Sequence, residues 1–465
     1  MGATARGLVG ACLVAAACAR RPDVARPGAP GPTNGPNGTR GTRAPDLAAV
    51  YDQMGLVTAR GDLPFVGTVA HFASARPDST LVLLSLSLAN RALTFEREGD
   101  RYRAPYEVRL EVRRDGATVQ RLASDEMVRV ATFRETGRTD ESVLFYQTLT
   151  LAPGSYTLGI ALRDATSGRS TSKDVPLTVP ALGAGTLSSA VVAYEATPRV
   201  RLDSAPRVTV RPRATVAFGV DTSVTLYVEG YGDATRPSLP VRLVARGERD
   251  VVVWSDTAAL APRGALFASV LRVPVSRLGI GVLSLDVVAR DAAEAPNGRD
   301  STRTALFVSL GEDLPVATFD DVLGYLRYFA SPERLRALRE TPVDARPAAW
   351  LAFLRSTDPS TATPEHEALR DYFARIRAAN LRFEEGGTAG WLTDRGMAYI
   401  ALGEPDQILD PAGQDANARG RTQVWEYRTA NVELRFEDKS ASGRWRLTSQ
   451  SAAAVQNALR RTRVP

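Results

Sequence analysis

The chain has 465 residues, of which 44% are hydrophobic and 24% are charged. This length exceeds what one hydrophobic core usually supports, so it predicts several domains, and the composition excludes wholesale disorder and a polytopic membrane protein. Two cysteines exclude a disulfide scaffold and a cysteine-rich zinc module, and two histidines argue against a histidine-built metal site. We therefore expect neither a metal nor a cofactor.

The net charge of +6 comes from the two ends of the chain. Residues 1–46 hold six arginines and two aspartates, and Arg460, Arg461 and Arg463 follow close to the last residue. The stretch between these ends is close to neutral. A nucleic-acid-binding protein concentrates its basic residues on a folded face, so we expect no nucleic-acid partner.

Residues 1–18 resemble a bacterial lipoprotein signal. Arg6 precedes an apolar run from Leu8 to Ala17, which is too short to span a bilayer as a helix. The sequence Val14-Ala15-Ala16-Ala17-Cys18 resembles a lipobox, in which the signal is cut before the cysteine and the cysteine then carries the lipid. The alternative is an ordinary secretion signal with a passive cysteine. The lipobox interpretation predicts lipidation at Cys18.

Residues 19–46 predict an extended tether. They hold six prolines and five glycines with almost no apolar side chains, so no core can form there. Ala19 and Arg20 after the cysteine resemble the outer-membrane sorting pattern of bacteria with two membranes. We expect an exported, membrane-anchored lipoprotein, in the outer membrane where the cell has two.

Residues 47–190 predict a helix followed by a first β-sandwich. The helix has Asp46 as its cap and Gly55 as its end. Apolar and charged side chains alternate over residues 106–112, which is typical of a strand with one buried face. Asp115-Gly116 then predicts a tight hairpin turn.

Residues 191–312 predict a second sandwich, because part of the first recurs there. The stretch Gly154–Asp164 is mirrored by Gly281–Asp291, with Leu158 recurring as Leu285. This match suggests two copies of one module. The repeated stretch resembles the late strand of immunoglobulin-like domains.

Residues 313–465 predict helices followed by a small antiparallel sheet. Helix starts are expected at Thr318, Ser331-Pro332, Pro347 and Thr363-Pro364. Strands are expected at 397–402, 424–427, 432–436 and 445–447. The predicted fold class is therefore multidomain, mainly β and then α+β: two immunoglobulin-like β-sandwiches precede a helical segment that packs on the small sheet.

The stretch Gly390-Trp391-Leu392-Thr393-Asp394-Arg395-Gly396 resembles the signature of the GWxTD domain family of exported bacterial proteins. The resemblance covers roughly residues 317–450. His366 departs from it, since asparagine is usual there. Further matching residues are Phe353, Asp358, Pro359, Thr363, Pro364, Ala379, Asn380, Phe383, Tyr399, Gly403, Pro405, Asp406, Trp425 and Tyr427. The family implies no established activity or ligand.

Two interpretations of this signature remain open. In the structural one, Trp391 fills the seam between helices and sheet while Thr393 and Asp394 bind backbone amides and the glycines allow sharp turns. In the functional one, Trp391 and Asp394, with two carboxylates from the next turn, form a groove suited to a sugar. The candidate residues are Gly390, Trp391, Thr393, Asp394, Arg395, Gly396, Tyr399, Glu404 and Asp406.

Catalytic motifs are sparse. His366-Glu367 begins like a zinc-protease helix, but Arg370 stands where the second histidine is needed, so His366 is better interpreted as a solvated side chain or a helix cap. The acid pairs Glu384-Glu385 and Asp320-Asp321 suit solvated helix faces better than a glycosidase. We therefore expect no catalytic residue and a non-enzymatic docking role at the cell envelope, with an envelope protein or a glycan as partner. A carbohydrate-binding module centred on Trp391 is the alternative, and a hydrolase that uses acidic residues is the third.

Overall fold

The fold was analysed in a computed structural model. It describes residues 47–463, apart from 139–142, 219–220, 234, 290–299, 310–317, 361–365 and 411–419. Several expectations lie outside the described residues: those on the leader and the tether, and those on Asp46, Arg290, Asp291, Thr363 and Pro364.

The first β region contains strands in which buried and more exposed residues alternate. Its helices are α1 (Leu47–Gln53) and α2 (Phe133–Thr136), and its strands are β1 (Val57–Ala59), β2 (Phe65–Ala73), β3 (Thr80–Leu88), β4 (Glu96–Glu98), β5 (Arg101–Arg114), β6 (Ala117–Val130), β7 (Val143–Leu151), β8 (Gly154–Asp164) and β9 (Ser170–Val179). One antiparallel sheet has the order β1-β2-β3-β7, and the other has the order β4-β5-β8-β9 with β6 also paired to β5. Apolar residues of both sheets meet in one core.

The predicted strand and hairpin around residues 106–116 are confirmed. The apolar side chains of the alternating stretch are all buried, whereas the residues between them are more exposed. Asp115 and Gly116 connect β5 to β6 with φ values of 51° and 79°. Both residues therefore have the left-handed conformation that a two-residue hairpin turn requires.

A second β region follows. Its strands are β10 (Thr186–Leu187), β11 (Val191–Thr197), β12 (Arg207–Val210), β13 (Thr215–Ala217), β14 (Ser223–Tyr231), β15 (Leu239–Arg246), β16 (Val252–Leu260), β17 (Pro262–Arg263), β18 (Leu266–Pro274), β19 (Gly281–Ala289) and β20 (Ser301–Ser309). One sheet has the order β12-β11-β14-β18-β17 with β10 paired to β14, and the other has the order β13-β20-β19-β15-β16. Every pairing is antiparallel except that of β13 with β20.

The two β regions share a strand order. The order β2-β3-β7 in one sheet of the first region corresponds to β11-β14-β18 in the second. The order β6-β5-β8-β9 corresponds in the same way to β16-β15-β19-β20. The two stretches that match in sequence, Gly154–Asp164 and Gly281–Asp291, therefore contribute strands β8 and β19 at equivalent positions. The predicted domain boundaries at 190 and 312 stay predictions.

A hydrophobic core separate from that of the first region joins the two β regions. Phe72 and Leu83 of the first region pack with Tyr227, Tyr231 and Leu266 of the second, and the Phe72 and Tyr227 ring centroids are 5.9 Å apart. Aromatic pairs at this separation stabilise a core beyond their area of burial. The first and second β regions are therefore packed together, rather than strung on a linker.

A buried ion pair lies at this junction. Arg199 Nε and Nη2 each donate to Glu229 at 2.8 Å, and the two side chains are only 3% and 0% exposed. Tyr227 and Tyr231 donate their hydroxyls to the same carboxylate at 2.6 and 2.7 Å. Arg199 Nη2 also donates to the Ala73 carbonyl at 2.6 Å, while the Tyr231 hydroxyl accepts from the Ala73 amide at 2.9 Å. The ion pair therefore binds the end of β2 to the second region.

Helices and a small sheet complete the fold. These elements are α3 (Phe319–Tyr325), α4 (Pro332–Glu340), α5 (Arg346–Thr357), α6 (Glu367–Arg382), α7 (Asp394–Leu402), β21 (Gln407–Leu409), β22 (Arg421–Tyr427), β23 (Val432–Asp438), β24 (Arg446–Leu447) and α8 (Ser449–Thr462). The strands form one antiparallel sheet in sequence order. Thr318 and Ser331 cap α3 and α4, and Pro347 lies in the first turn of α5, as predicted.

The strand predicted at Met397–Leu402 is wrong, because these residues belong to α7. A short apolar run fits a strand or a buried helix equally well. Thr393 Oγ1 accepts a hydrogen bond from the Gly396 amide at 3.1 Å, and this cap begins the helix. Helix α8 is a further element that the sequence analysis missed. It buries Val455 and Leu459, which are four residues apart on one face.

The helical part packs directly on the second β region. The Trp350 ring of α5 is fully buried, with its centroid 6.2 Å from that of Phe218 and 6.0 Å from that of Phe319. Arg346 donates to Glu248 of the second region at 2.7 Å. One hydrophobic core therefore runs through both parts. Within the described part of the chain, none of the helices has the length and apolar character needed to cross a membrane.

The buried ion pair gives the first testable prediction. Arg199→Met leaves Glu229 buried without its cation, which we expect to lower the free energy of unfolding by about 3–5 kcal/mol. Arg201→Met is the matched control, because the Arg201–Asp203 pair has side chains that are 74% and 48% exposed, and such pairs contribute at most about 1 kcal/mol. Urea unfolding measures both variants. Equal losses would show that the junction does not depend on the pair.

Candidate functional site

The signature segment connects α6 to α7. After α6 the chain turns through Gly386 and Gly387, which have φ values of 54° and 78°. Residues Gly390–Leu392 then form a single 3₁₀ turn, and Thr393 caps α7. The signature segment is therefore held between α6, which precedes it, and α7, which follows it.

Two signature glycines allow backbone to pack on backbone. A methyl group on Gly390 would lie 2.0 Å from the carbonyl oxygen of Ala379 in α6. A methyl group on Gly396 would lie 1.8 Å from the carbonyl oxygen of Gly390. Both distances are far below van der Waals contact, and neither backbone neighbour can rotate away. Glycine is required at both positions so that α6, the 3₁₀ turn and α7 can approach each other.

Trp391 lies in the core. Its side chain is 3% exposed, and its ring centroid lies 4.9 Å from that of Tyr325 and 6.2 Å from that of Tyr328. The Arg327 guanidinium lies 4.7 Å from the Trp391 ring centroid, in a cation–π contact. The Trp391 amide donates to Asn380 Oδ1 at 3.1 Å. Trp391 therefore joins the end of α3 to α6.

Thr393 and Asp394 both bind backbone amides, as the structural interpretation predicts. Thr393 is buried, and its hydroxyl accepts from the Gly396 amide while it donates to the Gly390 carbonyl at 2.7 Å. Asp394 Oδ2 accepts from the Leu447 amide of β24 at 2.8 Å. The Asp394 carboxylate therefore fastens the small sheet to the first turn of α7.

Arg395 has a partner that the sequence analysis interpreted differently. Its Nε donates to Glu385 Oε1 at 2.9 Å, and the two side chains are 16% and 2% exposed. Glu385 Oε2 also accepts from the Trp445 amide at 3.1 Å. Arg375 of α6 donates to the Ile400 carbonyl of α7 at 3.2 Å. The expectation that Glu385 is a solvated acid is wrong, because its carboxylate is buried and pairs with the partly buried Arg395.

The last three candidate residues hold the turn after α7. Tyr399 packs on Phe383 with ring centroids 5.6 Å apart. Glu404 accepts from Arg382 Nη2 at 2.7 Å, and this hydrogen bond lowers the pKa of Glu404. Asp406 Oδ2 accepts from the backbone amide of Arg428 at 2.6 Å. These contacts connect α6, the turn and β22.

The contacts of the candidate groove residues lead in different directions. Trp391 faces α3, Asp394 reaches β24, Glu404 pairs with α6 and Asp406 binds the end of β22. The burial of Trp391 also counts against a sugar stacking on its ring. Among the residues that the structure describes, no group of three or more histidine, cysteine, aspartate or glutamate side chains is placed to hold a metal ion. The arrangement is well suited to holding helices and sheet together.

The sequence profile of the GWxTD domain matches residues 297–450. This part of the chain is a GWxTD domain. The match contains the signature segment, the helices α3 to α7 and the small sheet. A comparison of the whole chain with curated proteins finds no match.

Several solved structures are similar to part of this chain. Dimeric latent PorU from Porphyromonas gingivalis is 13% identical with a TM-score of 0.24, over 56% of this chain and 21% of that one. Trypsin-activated alpha-2-macroglobulin from Escherichia coli is 10% identical with a TM-score of 0.19, over 56% and 17%. The fibronectin(III)-like modules of CbhA from Clostridium thermocellum are 13% identical with a TM-score of 0.14, over 49% and 85%. At these scores the likenesses carry no structural argument.

His366 caps the long helix of the GWxTD domain, as predicted. Its Nδ1 accepts from the Leu369 amide at 3.2 Å, and its Nε2 lies 2.8 Å from the Thr357 hydroxyl. An accepting Nδ1 requires the neutral ring. Burial lowers the pKa of His366, although the nearby Asp358 acts in the opposite direction.

The signature glycines give the second prediction. Gly390→Ala should lower the free energy of unfolding of the GWxTD domain by about 3 kcal/mol or more, because the clash is with backbone. Gly324→Ala in α3 is the matched control: a methyl group there meets nothing within 4 Å, and alanine favours a helix by about 1 kcal/mol over glycine. Urea unfolding followed by tryptophan fluorescence compares them. A Gly390→Ala protein as stable as the control would contradict the close backbone approach.

His366 gives the third prediction, on pH dependence. Since the folded pKa lies below the unfolded value of about 6.5, the unfolded chain binds the proton more tightly. The contribution of His366 to stability is complete above the pKa of the unfolded chain. It is lost as the pH falls through the lower pKa of the folded protein. His366→Asn keeps a capping side chain that does not titrate, so it should lose less stability between pH 7.5 and pH 5. Unfolding is measured for both proteins at the two pH values. An equal loss of unfolding free energy in both proteins would refute this role.

Proposed function

We propose that this protein is a lipid-anchored docking protein of the cell envelope with a non-enzymatic role. The leader and the tether support export and anchoring at Cys18, and the sorting residues support an outer-membrane location in bacteria with two membranes. The described residues after the tether belong to one compact unit. A compact unit after a proline- and glycine-rich tether, as the sequence predicts, suits the presentation of a binding surface at the membrane.

In this proposal the two β regions are immunoglobulin-like sandwiches. Their shared strand order supports it, since in each region the chain passes from one sheet to the other and back again. Tyr156 supports it too: its hydroxyl donates to the Ala152 carbonyl at 2.9 Å just as β8 begins. This is the geometry of the tyrosine corner of immunoglobulin-like domains. Modules of this class commonly serve as spacers and docking surfaces.

The observation that carries the docking role is a hollow on the outer face of the β6-β5-β8-β9 sheet. Its volume is about 540 Å³, and side chains from all four strands line it. Gly159 and Ala161 of β8 are part of this lining, and the small side chain of Ala161 adds little bulk to its floor. A methyl group on Gly159 would lie 3.1 Å from Asp174 Oδ1. This surface is exposed, whereas Trp391 in the signature segment is buried.

The charges around the hollow indicate the partner. Arg113 pairs with Asp174 at 2.5 Å, and Arg121 pairs with Glu111 at 2.7 Å. Arg109 adds a third guanidinium to the lining and pairs with Glu107 at 2.8 Å. Because each of these arginines has a carboxylate beside it, the surface presents charges of both signs and fits a protein segment that carries acidic and basic side chains. Charged pairs at an interface of this kind steer association and select the partner.

A pull-down from detergent-solubilised membranes tests the docking role. Ala161→Arg should fill the hollow and abolish recovery of the partner, which mass spectrometry identifies. Leu381→Arg is the matched control, because it adds the same side chain on α6 where Leu381 is 88% exposed. Circular dichroism confirms that both variants fold. If Ala161→Arg still recovers the partner, the docking site does not lie on this face. If the unaltered chain recovers no partner, the docking proposal is refuted.

The anchor is tested separately by membrane fractionation. Cys18→Ser should release the protein from the membrane fraction, because the lipid would have no attachment site. Cys12→Ser is the matched control and should stay membrane-bound. A Cys18→Ser protein that stays with the membranes would refute the lipoprotein assignment and leave the docking surface unaffected.

A further inference from the structure

A second cavity lies where α1, the first β region and the second β region meet. Its volume is about 460 Å³. Tyr51 of α1 and Phe65 of β2 are among its apolar lining residues, and both are buried. Volumes of this size are typical of small-molecule sites. This cavity is separate from the hollow on the outer sheet face and from the signature segment.

Four arginines from distant parts of the sequence converge on this cavity. They are Arg60 after β1, Arg91 after β3, Arg169 between β8 and β9, and Arg213 before β13. Asp62 is the acidic side chain among the lining residues. The lining therefore holds more guanidinium groups than carboxylates, beside an apolar floor. Guanidinium groups present planar pairs of N–H donors that match phosphate and carboxylate oxygens.

Two of the arginines are oriented by carbonyl and hydroxyl groups. Arg169 Nη2 donates to the Ala92 carbonyl at 2.9 Å and to Thr94 Oγ1 at 3.2 Å. Arg213 Nε donates to Ser87 Oγ at 3.3 Å. These hydrogen bonds fix the position of each guanidinium. Binding an anion then requires little reorganisation of the cavity, which favours affinity.

The acidic neighbours compensate part of this charge. Arg169 Nη2 lies 3.4 Å from Asp164, but that carboxylate also accepts from the Thr94, Thr166 and Ser167 amides. Arg60 lies 3.8 Å from Asp52, and both side chains are at least half exposed. The long, exposed Arg60–Asp52 pair exchanges readily for a better-placed anion, whereas Asp164 is buried and stays beside Arg169.

We propose that this cavity binds a phosphate group attached to a small organic moiety. The arginines would hold the phosphate oxygens, and the floor formed around Tyr51 and Phe65 would cover the apolar part of the ligand. The phosphate can belong to a lipid headgroup or to a soluble phosphorylated molecule. The proposal does not depend on the docking role or on lipidation at Cys18.

Titration and vesicle flotation test this site in the full chain. Calorimetry measures binding of inorganic phosphate and glycerol 3-phosphate, and flotation measures binding to phosphatidylglycerol vesicles. Both use the Cys18→Ser protein as the background, so that no attached lipid contributes to vesicle binding. The double variant Arg91→Gln, Arg213→Gln should weaken binding at least tenfold. Arg263→Gln, at an exposed position on β17, is the matched control.

Each outcome is decisive. Binding of the soluble phosphates that the double variant weakens supports the site and identifies a soluble ligand. Binding confined to the vesicles and weakened in the same way supports it and identifies a lipid headgroup. Absence of both, or equal binding by the double variant and by Arg263→Gln, overturns the proposal. Thermal unfolding of the double variant shows whether its fold is intact.

Discussion

The buried Arg199–Glu229 ion pair determines how the body of this protein is joined. Removing two charges from water is costly, and here two tyrosine hydroxyls and a strand-end carbonyl complete their hydrogen bonding. Burial raises the pKa of Tyr231 well above its usual value, so its hydroxyl keeps the proton that it donates. Such a network tolerates one geometry, and it connects the first β region to the second.

The sequence was sufficient for features governed by local chemistry. Alternation predicted the buried face of β5, Asp115-Gly116 predicted its hairpin, and Thr318 and Ser331 predicted two helix starts. It was insufficient where one pattern fits two structures: the apolar run 397–402 fits a strand until the Thr393 cap is recognised. Helix α8 was missed although Thr448 caps it, because its apolar side chains are few and small.

The sequence predicted which residues form the candidate site, but it did not predict which residues they contact. Trp391 as a core plug and Thr393 and Asp394 as amide-binding side chains followed from their chemistry. The partners lie far along the chain and could not be inferred: Gly390 packs on Ala379, and Asp394 binds Leu447. Glu385 was interpreted as a surface acid because a charge pattern in the sequence does not show that its carboxylate pairs with Arg395 in the fold.

The Trp350 contact with Phe218 has a consequence for how this protein can evolve. Trp350 belongs to α5 of the GWxTD domain, while Phe218 follows β13 of the second β region, and both are buried. A GWxTD domain moved without the preceding strands would expose this aromatic surface to water and aggregate. The second β region and the GWxTD domain should therefore be inherited and exchanged as one block.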